Sequence, residues 1–129
     1  MDDQHSLNQT SSLIIQYAIK IHRRLGPGLL ESVYRRCLIY ELENAGQTVV
    51  SEQTVHIQYE GLKLDGGYRL DLLVNDTVIV ETKSVDKLLP VHCAQLLSYM
   101  RLTDKRLGLL VNFNVPCLLT GVKRIVNNF

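Results

Sequence analysis

A mixed α/β domain built round an antiparallel hairpin is the fold class this sequence predicts, on three observations. Apolar residues recur at helical spacing near the start of the chain, at Ile14, Ala18, Ile21 and Leu25. Stretches rich in β-branched residues then take over, from Val49 to Tyr59 and again over Tyr68–Val74 and Val78–Val85. A third helical stretch separates these from two further strands, Leu107–Asn112 and Gly121–Val126. The order α-α-β-β-β-α-β-β fits 129 residues, a length that favours one domain round one core.

Taken in order, residues 1–10 (MDDQHSLNQT) are polar and are expected to form a tail, with a single domain over 11–129. Ser11–Arg24 reads as an amphipathic helix. Gly26-Pro27-Gly28 stops it, because Pro27 has no amide hydrogen and the glycines tolerate positive φ. A second helix over Leu29–Ala45 carries Leu30, Val33, Cys37, Leu38 and Leu42 as its buried stripe, and Gly46 stands where a left-handed C-terminal cap belongs. Val49 to Tyr59 predicts one strand, ended by Gly61 and by Asp65-Gly66-Gly67. Asn75-Asp76-Thr77 between two apolar runs is a hairpin signal. Pro90 suits the first turn of a helix over Val91–Leu102, and Pro116 lies in the loop between the last two strands.

Composition narrows the function classes. The net charge is +1, from 14 Lys and Arg against 13 Asp and Glu, whereas a protein holding nucleic acid through phosphate contacts alone would be more basic. A nucleic-acid role therefore needs a local patch, a bound cation or a second subunit. Trp is absent and aromatics are few, which argues against a base-stacking platform. Cys37, Cys93 and Cys117 lie far apart with no CxxC pair, so neither zinc nor redox chemistry is indicated. Reduced thiols in a cytoplasmic protein without a signal peptide are expected. No apolar run approaches the ~20 residues of a membrane span.

The chemistry-bearing stretch runs from Tyr68 to Lys83. Asp71 sits between Leu70 and Leu72, and Glu81 and Lys83 follow Val78-Ile79-Val80. Charges inside apolar strands are costly unless they face each other, a metal or water. Glu81 and Lys83 share a strand face. Asp71 joins them only if it stands opposite Glu81. A regular two-residue turn at Asn75-Asp76 would put Asp71 opposite Val80, on the other face. The chemistry thus predicts a three-residue loop or a bulge, with Asn75, Asp76 or Thr77 at positive φ. Two carboxylates can hold Mg²⁺ or Mn²⁺ while leaving places for water and phosphate, and a lysine beside them can orient or deprotonate that water. The alternative is a buried Asp–Lys–Glu ionic group with no catalytic role.

Asp71 followed by Glu81-Thr82-Lys83 in consecutive strands resembles the D…(D/E)xK core of the PD-(D/E)XK nuclease superfamily. Gly28-Leu-Leu-Glu31-Ser-Val-Tyr34 looks like the signature of its GxxExxY branch, as do Tyr68–Val74, Lys87–His92, Ala94–Tyr99 and Gly108–Pro116. The resemblance implies a nuclease-like fold, a mixed central sheet with an antiparallel hairpin and helices on both sides. It implies metal-dependent hydrolysis of nucleic acid, DNA favoured over RNA, with Asp71, Glu81 and Lys83 catalytic. Glu31 becomes a further metal ligand beside Asp71 and Glu81; the alternative is a glutamate that favours its helix N-terminus electrostatically. Tyr34 and Arg35, on the face of Glu31, are candidate substrate contacts. So are Gln95 and Tyr99, which match a QxxxY element, though they can also be read as an amphipathic boundary pair. His92 fits a cap better than a ligand. Of the basic pairs, Arg35-Arg36 stands out by following Glu31. A homodimer is expected, because pairing doubles each small patch. A catalytically silent module of the same fold, binding nucleic acid or a protein, is the competing reading.

Overall fold

Residues 3–129 are described by the computed structural model. Helices α1 (Asp3–Leu25) and α2 (Glu31–Asn44) lead into β1 (Val49–Thr54), a small hairpin of β2 (Ile57–Tyr59) and β3 (Leu62–Leu64), and the long hairpin of β4 (Arg69–Val74) and β5 (Val78–Lys83). Helix α3 (Pro90–Leu102), β6 (Leu107–Asn112), a 3-10 turn at Leu118–Gly121 and β7 (Val122–Val126) complete the order. The main sheet runs β1-β4-β5-β6-β7. β5 and β6 are parallel, with α3 as their crossover, and the other neighbours are antiparallel. This is the predicted fold class, a mixed sheet between helical layers.

The two layers explain why β5 and β6 read as unbroken apolar runs rather than as alternations. Leu72, Val74, Val78, Val80 and Leu109 pack with Ile14, Ala18 and Leu38 of α1 and α2. Leu73, Ile79 and Leu110 pack with Leu96, Tyr99 and Met100 of α3. Gly108 lets α3 lie directly on β6, since a Cβ there would stand 2.8 Å from the Met100 sulfur.

Leu30 and Val33, expected in the buried stripe of α2, are exposed, Leu30 because it precedes the helix, and two boundaries differ most from the sequence reading. Helix α1 begins at Asp3 rather than Ser11, with Leu7 and Thr10 buried along it. Its first turns are held by the far end of the chain: Arg124 donates to Asn8 Oδ1 at 2.8 Å, and Gln4 donates to the Phe129 carbonyl. The stretch read as one strand over Val49–Tyr59 is two. After Thr54 the Val55 amide turns to the Tyr68 carbonyl (2.8 Å), and the chain leaves the sheet to form the β2–β3 arm.

The long hairpin has the register the chemistry demanded. Val74 pairs with Val78, Leu73 with Ile79 and Leu72 with Val80, which carries Asp71 opposite Glu81. Asn75 (φ 53°) and Asp76 (φ 58°) supply the left-handed backbone of a type I′ turn, and the Thr77 amide closes it on the Val74 carbonyl at 3.0 Å. Thr77 is the extra residue, so it and Val78 both face Val74.

Candidate active site

At Asp71 the regular sheet stops. The β4–β5 pairing ends at Leu72 and Val80. Leu70 lies in the α3-side cluster with Leu73, three residues away, so the alternation of faces breaks between them. On the other flank, Glu52 stands opposite Asp71, between the Ser51–Leu72 and Gln53–Leu70 pairs, with φ at 56°. A non-glycine residue held there is strained, and such strain gathers where a sheet is bent for a purpose.

Side chains take over the bonds that the ladder gives up. The Asp71 amide donates to Glu81 Oε2 at 2.9 Å. Asp71 Oδ2 accepts from the Thr82 amide at 2.9 Å and from the Thr82 hydroxyl at 3.1 Å. Each carboxylate thus has one oxygen held by backbone. The Arg35 guanidinium lies 3.9 Å from Asp71 Oδ1 and 4.0 Å from Glu52 Oε1, an offset bridge rather than a tight pair. Burial pushes the Glu81 carboxyl up to about 8, and the neighbouring charge of Asp71 pushes in the same direction. Glu31, at the first position of α2, is also raised, by burial first, with the Lys83 ammonium opposing and Asp71 adding.

Lys83 is half-buried at the end of β5. Among the described residues its ammonium has no carboxylate within 4.0 Å. Its backbone is clamped instead: the Lys83 carbonyl accepts from the Phe113 amide at 2.9 Å. The next residues are tied on both sides. Ser84 Oγ donates to the Leu29 carbonyl at 2.6 Å, and the buried Asn112 side chain bonds both the amide and the carbonyl of Val85, at 3.1 and 2.9 Å. A fixed stem with an unpaired head suits a lysine that acts on something from outside.

The residues singled out from sequence fare differently. Asp71, Glu81, Lys83, Glu31 and Arg35 come together: Asp71 and Lys83 act on the ionisation of both Glu31 and Glu81, and Arg35 acts on that of Glu31 and approaches Asp71 as an ion pair. Tyr99 joins them from α3: its phenol is raised by burial and then by the charges of Glu81, Tyr68 and Asp71. Gln95, one turn earlier, is half-buried and has no hydrogen bond to another described residue. His92 caps α3, its Nδ1 accepting from the Leu89 amide at 2.9 Å.

Tyr34 needs a correction. It is fully buried, stacked on Phe113 at 4.4 Å, and its hydroxyl is spent on the Gly26 carbonyl (2.6 Å) and the Leu29 amide (3.1 Å). Helical side chains point back toward the N-terminus, so its ring reaches over the preceding break instead of outward. There it locks the turn whose Gly26 and Gly28 carry φ of 71° and 100°, and thereby fixes where α2 presents Glu31. Sequence reasoning missed Thr82, Glu52, Ser84 and Asn112. Only Asn112 left a signal, a polar residue closing an otherwise apolar strand.

Asp71 and Glu81 form a pair of hard oxygen donors, the ligand chemistry that suits Mg²⁺ or Mn²⁺. Among the described residues no group of three His, Cys, Asp or Glu side chains is placed to hold a metal ion. Asp71 and Glu81 are the two acidic residues linked by a hydrogen bond, backbone amide to carboxylate, and Glu31 lies within electrostatic reach of Asp71. A magnesium site with few protein ligands keeps several waters, so the pair fits such an ion.

A family model described as the PD-(D/E)XK nuclease superfamily matches residues 8–125 of the chain. No curated protein and no solved structure gives a significant match. No helix among the described residues is long and apolar enough to cross a membrane.

Proposed function

Because the chain belongs to the PD-(D/E)XK nuclease superfamily, we propose that it is a metal-dependent phosphodiesterase hydrolysing nucleic acid, with Asp71, Glu81 and Lys83 catalytic. The observation that carries this reading is the exchange of side-chain and backbone bonds between the two splayed strands, beside a lysine without an ion pair. Asp71 and Glu81 would hold Mg²⁺ or Mn²⁺, with Glu31 approaching from α2. Such an ion, when bound, polarises the phosphoryl group and lowers the pKa of its water.

The chain's own residues do the rest. Thr82 occupies Asp71 Oδ2 and the Asp71 amide occupies Glu81 Oε2, which leaves Oδ1 and Oε1 for the ion. Lys83 Nζ orients the attacking water or takes its proton, and its charge offsets the negative charge that builds on the phosphate oxygens. The water oxygen bonds to phosphorus as it gives up a proton to Lys83 or to solvent, the P–O bond to the leaving nucleoside breaks, and the departing oxygen takes a proton from solvent. Arg35, Gln95 and Tyr99 are the substrate contacts, and Tyr34 supports Glu31 through the turn it locks.

The finer reading follows from the same features. Gly28, Glu31 and Tyr34 support the GxxExxY branch. The free cysteines Cys37, Cys93 and Cys117 are consistent with a cytoplasmic protein. The small net charge supports a homodimer on DNA, because two copies double the contact patches. One observation favours a silent binding module instead: Arg35 already offers Asp71 a counter-charge.

Labelled single-stranded, duplex and branched DNA, with the matching RNAs, separate the two readings when incubated with Mg²⁺ or Mn²⁺. Cleavage that needs the ion, and that Lys83→Ala lowers by ~10²–10³-fold with metal binding kept, is expected. Metal binding without cleavage of any substrate gives the silent module. Absence of metal binding by calorimetry removes the proposal.

A further inference from the structure

Of the pair Arg35-Arg36, Arg35 approaches Asp71. Arg23, Arg24 and Arg36 line a different feature, a groove of about 950 Å³ between α1 and α2. Arg35 and Arg36 are adjacent in sequence but about 100° apart round the helix, which puts them on different sides of α2. The groove has an apolar floor that includes Ile19 and Cys37, and Leu25, Val33 and Tyr40 in its lining are exposed by 40%, 36% and 65%.

Its charge is one-sided. Glu41 is the sole acidic residue among those lining it, and it is held by Lys20 at 3.0 Å. Arg23, Arg24 and Arg36 have no ion pair among the described residues, whereas Arg35, Lys105 and Arg106 each lie beside a carboxylate. A chain of net charge +1 thus keeps three unbalanced guanidinium groups round one apolar groove.

We propose that this groove docks an acidic amphipathic helix of a partner protein. Complementarity requires a negative partner, and the apolar floor requires one with an apolar face to bury. A phosphodiester backbone meets the first requirement and not the second. A single strand laid on its bases needs a series of aromatic platforms, and Tyr40 is the only aromatic residue in the lining. A helix with apolar anchors at i, i+3, i+4 and i+7 and carboxylates flanking them meets both, in the helix-in-groove mode. Because the site is on the other side of α2 from Glu31 and Arg35, the proposal stands independently of the nuclease reading.

The test is fluorescence anisotropy with the full chain and a labelled Leu/Glu peptide of about 18 residues, long enough to be helical in water. Controls are the same residues in shuffled order, a version with Lys for Glu, and a single-stranded DNA. The amphipathic acidic peptide is expected to bind at least about tenfold more tightly than either control peptide. Val33→Glu, Arg36→Glu and Arg23→Glu should each weaken it by about that factor with melting unchanged, since all three side chains are exposed. Lys83→Ala should leave peptide binding intact. Equal binding of the shuffled peptide, loss of DNA binding with these same variants, or no peptide binding at all overturns the proposal.

Discussion

Between Leu72 and Val74, β4 is a buried ladder rung for rung with Val80, Ile79 and Val78. One residue further, at Asp71, the same two strands are joined by carboxylates instead. The first region gains free energy from apolar area removed from water. The second gives up ladder bonds and crowds two carboxylates, so it is a poor source of stability. The contrast teaches that one hairpin can divide its labour along its length. The apolar end sets the register, and the register delivers Asp71 to Glu81. A stable end is what makes an unstable end tolerable.

The largest effects should break this division cleanly in two. Asp71→Asn is expected to lower metal-dependent cleavage by ~10²–10³-fold, as loss of a charged group at a reaction centre does. Its stability should stay level or rise, because it removes the charge that crowds Glu81 while an amide oxygen still accepts from Thr82. Ile79→Ala should do the reverse. Ile79 is fully buried among Leu96, Met100 and Leu110, and truncation should cost about 2–5 kcal/mol with the site's chemistry kept in the folded fraction. Urea unfolding with cleavage on the same samples separates the two. If Asp71→Asn unfolds the protein, the carboxylates hold the hairpin and the division fails.

That pair also shows how much was legible beforehand. The hairpin register was readable because Asp71 and Glu81 make sense only on one face, and this forced the extra residue that Thr77 supplies. Helices on both sides of the sheet were legible through the family resemblance, and the unbroken apolar runs of β5 and β6 agree with it. The start of α1 was not, because Asn8 and Gln4 find partners at Arg124 and Phe129, across the whole chain. The split after Thr54 left no Gly or Pro to mark it. Tyr34 was misassigned because spacing gives a helix face but not the lean of a ring toward the preceding turn. Glu52 was invisible, since its place depends on β1 lying beside β4 and not on any local pattern.

A smaller effect should appear on titration without metal. Glu81 keeps its proton up to about 8 in the folded chain, against 4.5 as its ordinary value. Between those values the unfolded chain has lost a proton that the folded chain retains. The stability this group contributes is therefore present at low pH and declines as pH rises from about 4.5 to about 8. The difference between wild type and Glu81→Gln isolates its share from the other titrating groups. Tm curves should diverge across that window, and Mg²⁺ should raise the wild-type curve most at its alkaline end. Parallel curves would mean that the open end of the hairpin admits enough water to solvate Glu81.

The smallest effect belongs to the tip, where the apolar end closes. Asp76 holds φ at 58° without being glycine, which an aspartate tolerates better than most residues but at some cost. Asp76→Gly removes that cost and loses the ion pair to Lys105 at 3.3 Å, where the Asp76 side chain is 86% exposed, so the pair contributes only about 0–1 kcal/mol. The Lys105 bond to the Asp76 carbonyl at 2.9 Å survives, while glycine adds freedom to the unfolded chain. These terms nearly cancel, and a net change within about 1 kcal/mol is expected. Asn75→Gly, one residue away at φ 53°, should not cancel. It loses the bond from the Thr48 amide at 3.0 Å and the bond to Gln47 Oε1 at 2.7 Å, and should cost about 1–2 kcal/mol. Neither change should alter cleavage per folded molecule. Were Asp76→Gly to slow cleavage several-fold at full folding, the tip would be setting more than the register, and the two ends of the hairpin would be coupled.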